Sequence, residues 1–300
     1  MLHIKSIHEL HSYLGIKKPK HPLISVFEFN PTTSVVKEDF KYTMDLFQVS
    51  IKGNCPYTIT KYGRNSYDFQ ECSMVFTLPN QVLQFNKNYQ TDDDNCWTLV
   101  FHQDLIRKSE LVKRIDNYSF FSYASNEALH LSEEERKIVT DISNKIEQEY
   151  SQNIDSHSQM LIISNLELLF NYCVRYYDRQ FYTRTNLHKD HISEFERVIK
   201  TFYKEKQQIN VGIPTVKYFA EKMNMSPRYL SDLLRKETGK STQEHIHYHI
   251  VEMAKIELLN SSKSTSEIAY DLGFEYPQYF SKLFKKNTSF SPREYRQSLN

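Results

Sequence analysis

Glycine is scarce in this chain: six among 300 residues, at positions 15, 53, 63, 212, 239 and 273. Loops that cradle phosphates need glycines close together, for left-handed turns and close backbone approach. No GxGxxG, GxxxxGK or GxSxG occurs, which argues against the common nucleotide-dependent enzymes and serine hydrolases. Cysteine is equally sparse. Cys55, Cys72, Cys96 and Cys173 form no CxxC pair and no disulfide framework, so they read as small buried apolar residues in a reducing compartment. No run approaches the roughly eighteen apolar residues of a membrane span. The opening MLHIKSIHELHSYLG has neither an apolar leader core nor a cleavage site. The expectation is a cytoplasmic protein with no membrane partner.

Strong net charge is also missing, since the total is +1. That total hides an asymmetry. Residues 1–190 hold 21 Lys+Arg against 24 Asp+Glu, a balance of −3, whereas residues 191–300 hold 17 against 13, a balance of +4. A modestly basic C-terminal third suits a nucleic-acid-binding module, and it also suits a solvated helical surface. The length accommodates two domains, each with its own core.

Up to about residue 101, short apolar runs alternate with turn signals: PLISVFEF (22–29), MDLFQVSI (44–51), SMVFTLP (73–79), QVLQF (81–85) and CWTLVF (96–101). Their β-branched and aromatic content predicts an antiparallel sandwich or barrel. Phe27, Phe47, Tyr57, Phe76, Phe85 and Trp97 are candidates for a ligand pocket, or for plain core. Asp92, Asp93 and Asp94 fall in a loop, as a cation site or a solvated turn.

From residue 103 the pattern turns helical. Ser132 and Glu135 form a capping box at the start of 131–150, where two orphan backbone donors need partners. The stretch 157–181 is a long helix with a wide apolar stripe that includes Leu169, Cys173 and Tyr177. A stripe that wide packs on the N-terminal sheet, pairs with another subunit, or does both; Met160, Ile163, Leu166, Phe170 and Val174 on it are the candidate dimer surface. The polar TRTNLHKD at 183–190 reads as a linker. Domains are therefore expected at 1–182 and 191–300.

The last 110 residues punctuate as short helices at 191–206, 215–223, 227–238, 242–261, 266–273, 277–287 and 292–298. Ser241 with Glu244, Ser264 with Glu267 and Ser291 with Glu294 repeat the capping box. Pro227 and Pro292 stand at first helical positions, where the missing N–H costs nothing. The stretch SPRYLSDLLRKE (226–237) returns about fifty residues later as EYPQYFSKLFKK (275–286). Ala220 aligns with Ala269, Met225 with Phe274, Tyr229 with Tyr279, Leu230 with Phe280, and Ser231 with Ser281. Each unit is a short helix with a small residue at the crossing, a tight turn and a second helix, which is the helix-turn-helix plan. The helix between the units would span roughly 30 Å, close to the ~34 Å between major-groove segments on one DNA face.

The apolar positions of the second helices leave Arg228, Ser231 and Asp232 exposed in one unit. In the other they leave Gln278, Ser281 and Lys282, with Tyr276 nearby. Arg228 suits guanine, Gln278 adenine, and Asp232 either cytosine or an internal role. Arg235, Lys236, Lys240, Lys285 and Lys286 are candidate phosphate contacts, or a solvated face. Helix starts at Thr215 and Thr265 add backbone N–H donors. His245 and His249 share a helix face with zinc-compatible spacing, but no third ligand is evident and packed histidines are the simpler reading.

IAYDLGFEYPQYFSKLFKK (268–286), SPREYR (291–296) and MAKIELL (253–259) together resemble the DNA-binding domain of the AraC/XylS family of bacterial transcription regulators, over about 100 residues. One position departs: the family often carries Arg four residues before Ala254, where Ile250 stands here. The resemblance implies an α+β two-domain protein, with an N-terminal cupin-like antiparallel β-barrel followed by helices. An all-α domain of two helix-turn-helix units joined by a linker helix would follow. MVFTLPNQVLQF (74–85) and WTLVFHQDLI (97–106) resemble the sensor domains of such proteins. The implied partners are promoter DNA, a small-molecule effector, RNA polymerase and a second copy of the chain, in the bacterial cytoplasm on the nucleoid. The implied protein is not an enzyme and has no cofactor. The seven groove-facing positions match those that carry base contacts in the family. Two other classes stay in view: a cupin-type isomerase or oxygenase tethered to DNA, and a chromosome-associated protein with generic affinity. The first lacks the HxH of metal-bearing cupins in residues 20–101, and groove-facing Ser and Gln disfavour the second.

Overall fold

The computed structural model describes residues 2–28, 40–52, 72–85, 96–124, 127–152, 155–183 and 185–298. Cys55, Tyr57 and Asp92–Asp94 lie outside the described residues, as does the side chain of Phe85. The chain divides into two units, Met1–Gln180 and Phe181–Asn300.

The first unit opens with β1 (Leu2–Ile4) and α1 (Ile7–Leu14), then β2 (Ile24–Phe27), β3 (Phe40–Met44), β4 (Leu46–Lys52), β5 (Ser73–Thr77), β6 (Leu83–Phe85) and β7 (Thr98–His102). Two one-turn helices follow, α2 (Gln103–Ile106) and α3 (Leu111–Arg114), then 3-10 turns at Ile115–Asn117 and Ser119–Ser122. β8 (Leu129–His130), α4 (Glu133–Ser151) and α5 (Ser158–Thr183) complete the order. The strands form a three-stranded sheet, β1-β3-β6, and a five-stranded sheet, β2-β7-β4-β5-β8.

Two expectations change here. Among the described residues the strands make two open sheets and no closed barrel. The pairing is not wholly antiparallel either, because β1 runs parallel to β3, Leu2 opposite Tyr42. Two strands escaped the sequence pattern because they are short. β1 and β8 span three and two residues, below the length at which alternation is readable.

Register explains the layering. Val49 pairs with Leu99 and Phe76, and Phe47 with Phe101. With a side-chain period of two, these residues share one face of the five-stranded sheet. Phe101 and Phe121 meet Phe170 of α5 at 6.2 and 5.5 Å between ring centres. The opposite face supplies Val100 to a second core with Ile4, Ile7, Leu10, Met44 and Leu46. The Ser132–Glu135 box is formed as expected, with both hydrogen bonds present.

The second unit is all helix: α6 (Thr185–Lys204), α7 (Gln208–Val211), α8 (Val216–Lys222), α9 (Pro227–Thr238), α10 (Thr242–Asn260), α11 (Thr265–Asp271), α12 (Pro277–Thr288) and α13 (Pro292–Ser298). The linker expected at 183–190 is mostly helix, because α5 ends at Thr183 and α6 begins at Thr185. Polar composition there marks no loop, since threonine, asparagine and lysine cost a helix only tenths of a kcal/mol each, roughly up to 0.7.

Candidate nucleic-acid interface

The duplication is present at the level of single hydrogen bonds. After α8, the Met225 N–H donates to the Ala220 carbonyl at 2.9 Å; after α11, the Phe274 N–H donates to the Ala269 carbonyl at 3.0 Å. Both turns hold a left-handed residue, Asn224 at φ 55° and Gly273 at φ 91°. Ala220 and Ala269 are wholly buried, as are Leu230 and Phe280 at the same place in α9 and α12. The absence of a larger side chain at those alanines lets the helices cross closely.

The repeat runs further than the sequence reading took it. Thr238 Oγ1 donates to the Leu234 carbonyl at 2.7 Å, and Thr288 Oγ1 to the Phe284 carbonyl at 2.8 Å. Left-handed caps follow at Gly239 and Ser289. Reciprocal Ser–Glu bonds then start α10 at Ser241–Glu244 and α13 at Ser291–Glu294. The spaced pattern T-x-x-S-x-x-E in both copies was the available signal.

The solvent faces of α9 and α12 sort the base-reading candidates. Gln278 and Lys282 are exposed, with no hydrogen bond or ion pair among the described residues. Arg228 is exposed and reaches Asp232 at 3.8 Å, one turn on. Asp232 is largely covered, with 23% of its side chain exposed. That supports an internal role, orienting Arg228, over contact with cytosine. Ser231 is half-buried with its hydroxyl 3.2 Å from that of Thr242, so it joins α9 to α10. Ser281 is half-buried and donates back to the Pro277 carbonyl at 3.1 Å. Tyr276 is exposed and stands edge-on to Tyr279, 5.8 Å between centres. Tyr279, which the sequence only aligns with Tyr229 and gives no role, is 60% exposed.

A helix-turn-helix domain family matches residues 219–298. Residues 219–298 are an AraC/XylS-type helix-turn-helix domain. Over 81 residues the chain is 37% identical to the uncharacterized HTH-type transcriptional regulator YijO of Escherichia coli, covering 27% of this chain and 29% of that protein. Over 233 residues it is 23% identical to the Msm operon regulatory protein of Streptococcus mutans, covering 75% of each. The C-terminal domain of AraT, a response regulator from Geobacillus stearothermophilus, is 32% identical with a TM-score of 0.31, covering 35% of this chain and 84% of that one. The chain thus spans under a third of the length of the first of these relatives. The relatives are transcriptional regulators, not enzymes.

In and just before the AraC/XylS-type domain the phosphate candidates differ in availability. Arg235, Lys285 and Lys286 are exposed on α9 and α12. Lys236 is exposed but has a further interaction within the chain. Lys240 lies over the Tyr248 ring at 4.9 Å, which holds it beside α10. Thr215 caps α8 by accepting from the Tyr218 N–H at 3.3 Å. The cap of α11 is Ser264, with Thr265 the first helical residue. The Ser264 N–H already donates to the Glu267 carboxylate at 2.7 Å. A phosphate at the start of α11 would meet that negative charge, so Thr265 is a poor anion site.

α10 has 19 residues, so it spans about 28 Å. Ile250 is fully buried in it, so apolar packing stands where the family often has a charge. The histidines are packed side chains. His245 Nε2 meets Thr238 Oγ1 at 2.7 Å, and the His249 ring lies 5.3 Å from that of Tyr203. Among the described residues no three His, Cys, Asp or Glu side chains group for a metal. Arg296 donates to the carbonyls of Leu258 and Lys263, at 2.8 and 2.7 Å. It fastens α13 across the end of α10.

In the first unit the proposed pocket residues separate. Phe47, Phe76 and Trp97 are buried. Phe47 stacks on Phe101 at 4.8 Å, and Phe76 tilts on Phe120 at 4.3 Å. The Trp97 indole donates to Thr140 Oγ1 at 3.0 Å. All three belong to the core face under the helices. Phe27 contacts His11 at 5.3 Å between ring centres. The dimer candidates separate too. Leu166 and Phe170 are wholly buried inside the unit and Ile163 is half-buried. Met160 and Val174 are exposed, together with Leu161 and Leu168. The apolar stripe is wider than the helix face that any partner could reach.

Proposed function

We propose that this chain is a sequence-specific DNA-binding transcription regulator of the AraC/XylS type. In this reading α9 and α12 enter successive major-groove segments of a promoter site, with α10 as the spacer. The observation that carries it is the duplication of the turn bonds and of the Thr and Ser–Glu cap bonds of the helix-turn-helix unit on either side of α10. A single chain then presents two reading helices at nearly one DNA turn. Arg228 and Gln278 read bases, with Lys282 beside them. Arg235, Lys285 and Lys286 contact phosphate. Base reading needs exposed polar ends near each helix N-terminus, which Gln278 has and Arg228 has with Asp232 to orient it; the phosphate-contacting Arg235, Lys285 and Lys286 are exposed in the last turns of α9 and α12.

The first unit acts as the sensor. The sheet face opposite the Phe47 and Phe76 layer carries Gln48, Ser50, Thr77 and Thr98 by register. Gln48 donates to Ser50 at 2.9 Å, and Ser50 and Thr98 hydroxyls lie 3.0 Å apart. A polar row inside a sheet domain suits a small polar effector. A second copy docks on the exposed face of α5, and RNA polymerase is the partner at the promoter, in the bacterial cytoplasm.

Selection of bound duplexes from a random pool tests the reading. A single preferred sequence, lost on replacing Arg228 or Gln278, is the expected result. Affinity equal to random duplex at matched salt would sink it.

A further inference from the structure

Two reading helices discriminate a composite site only if their separation and angle are fixed. α10 joins the two halves along one line. A second contact lies away from it. α7, which precedes the first helix-turn-helix unit, packs against the turn of the second.

Gln208 on α7 is 5% exposed, and its Nε2 donates to the carbonyl of Asp271, the last residue of α11, at 2.9 Å. Its Oε1 is buried with no hydrogen-bond partner among the described residues, a cost accepted to place the amide there. Gly212 ends α7 at φ 75°, ψ −158°, a region open in practice to glycine alone. The turn glycine then meets it. A Cβ at Gly273 would stand 3.0 Å from the Gly212 carbonyl carbon, 3.1 Å from Gln208 Cβ and 3.2 Å from the Gln208 carbonyl oxygen.

The repeat supplies its own control. Asn224 holds the equivalent place in the first turn, also at positive φ and exposed. Asparagine tolerates that conformation, so the conformation alone does not require glycine. Glycine stands at 273 because α7 is against it, whereas Asn224 is open to solvent.

We infer that Gln208, Gly212 and Gly273 form a clamp that fixes the relative placement of α9 and α12 and so sets the number of base pairs the protein accepts between its half-sites. The clamp rests on the reading of both helices as groove-binding. Gln208 and Gly273 are positioning residues that touch no DNA.

The test uses the full chain and the duplex it selects, with and without a single base pair inserted between the half-sites, at fixed salt. The intact chain and Asn224→Gly should lose about tenfold or more in affinity on insertion. Gly273→Asn and Gln208→Met should lose about threefold or less. Gln208→Met keeps the chain length and removes only the amide, so it carries the test if Gly273→Asn does not fold. The clamp fails if the folded variants keep the penalty of the intact chain, or if the intact chain shows no penalty. If the intact chain selects no sequence, the functional reading fails and the clamp with it.

Discussion

Tyr229 and Tyr279 occupy the same position in their recognition helices and have opposite environments. Tyr229 is 7% exposed and packs on Phe181 at 5.2 Å between ring centres, whereas Tyr279 is 60% exposed. Phe181, which covers the first copy, has no counterpart over the second among the described residues. Tyr229→Ala should therefore lower stability by about 3 kcal/mol, the cost of emptying a buried aromatic site. Tyr279→Ala should change stability by less than about 0.5 kcal/mol and weaken binding to the selected duplex about tenfold. Chemical denaturation and titration of labelled DNA separate the two effects.

Base-reading and phosphate-holding residues should part in their salt dependence. Arg228→Ala and Gln278→Ala should each cost about 1–3 kcal/mol on the selected site and relax the preference at one position. Lys285→Ala should weaken all sequences alike and lower the slope of log affinity against log salt by about one. Equal, sequence-independent losses from all three would point to generic DNA affinity.

The histidines of α10 give a pH dependence with a definite sign. Burial holds the imidazoles of His245, His247 and His249 below their ordinary 6.5, and Lys240, Lys286 and Lys200 respectively push the same way. The unfolded chain then binds more protons than the folded one as pH falls through about 6.5 toward the lower folded values. Stability is fully present above that window and declines within it. His11 and His21 in the first unit shift likewise. The C-terminal part is therefore read as a smaller drop in melting temperature, from about pH 7.5 to pH 5, for His249→Phe than for the intact chain. The helix-capping carboxylates Glu244, Glu267 and Glu294 are held low by backbone N–H bonds. Their contribution is lost only at more acid pH, as they protonate below about 4.5.

Association through α5 should depend on its outer residues alone. Leu161 and Leu168 are each 42% exposed. Replacing both with Glu should abolish a dimer measured by sedimentation and remove the dependence of the melting temperature on protein concentration. Leu166→Ala should instead cost about 2–5 kcal/mol of stability, because its side chain is in the core.

The sequence by itself determined the C-terminal half. Capping boxes, proline at the first helical position and a repeated apolar pattern are local signals, read within four residues of where they act. Helices α9, α10, α12 and α13 accordingly start at the residues the sequence marks. The family resemblance rested on the same local motifs. Tertiary structure decided what local pattern cannot carry. Periodicity places Phe47, Phe76 and Trp97 on one face and does not say what covers each; α5 and the 3-10 turns cover Phe47 and Phe76, whereas Trp97 meets Thr140 of α4. Periodicity makes Leu166 and Val174 equals on one stripe, and only packing buries the first and exposes the second. Repeat alignment makes Tyr279 a copy of Tyr229, and the contact of Phe181 with Tyr229 makes them different. Glycine 273 reads as a turn residue, and only the approach of α7 shows why its copy at 224 can be asparagine. Backbone signals act over one turn of helix, while burial depends on which distant segment arrives to exclude water.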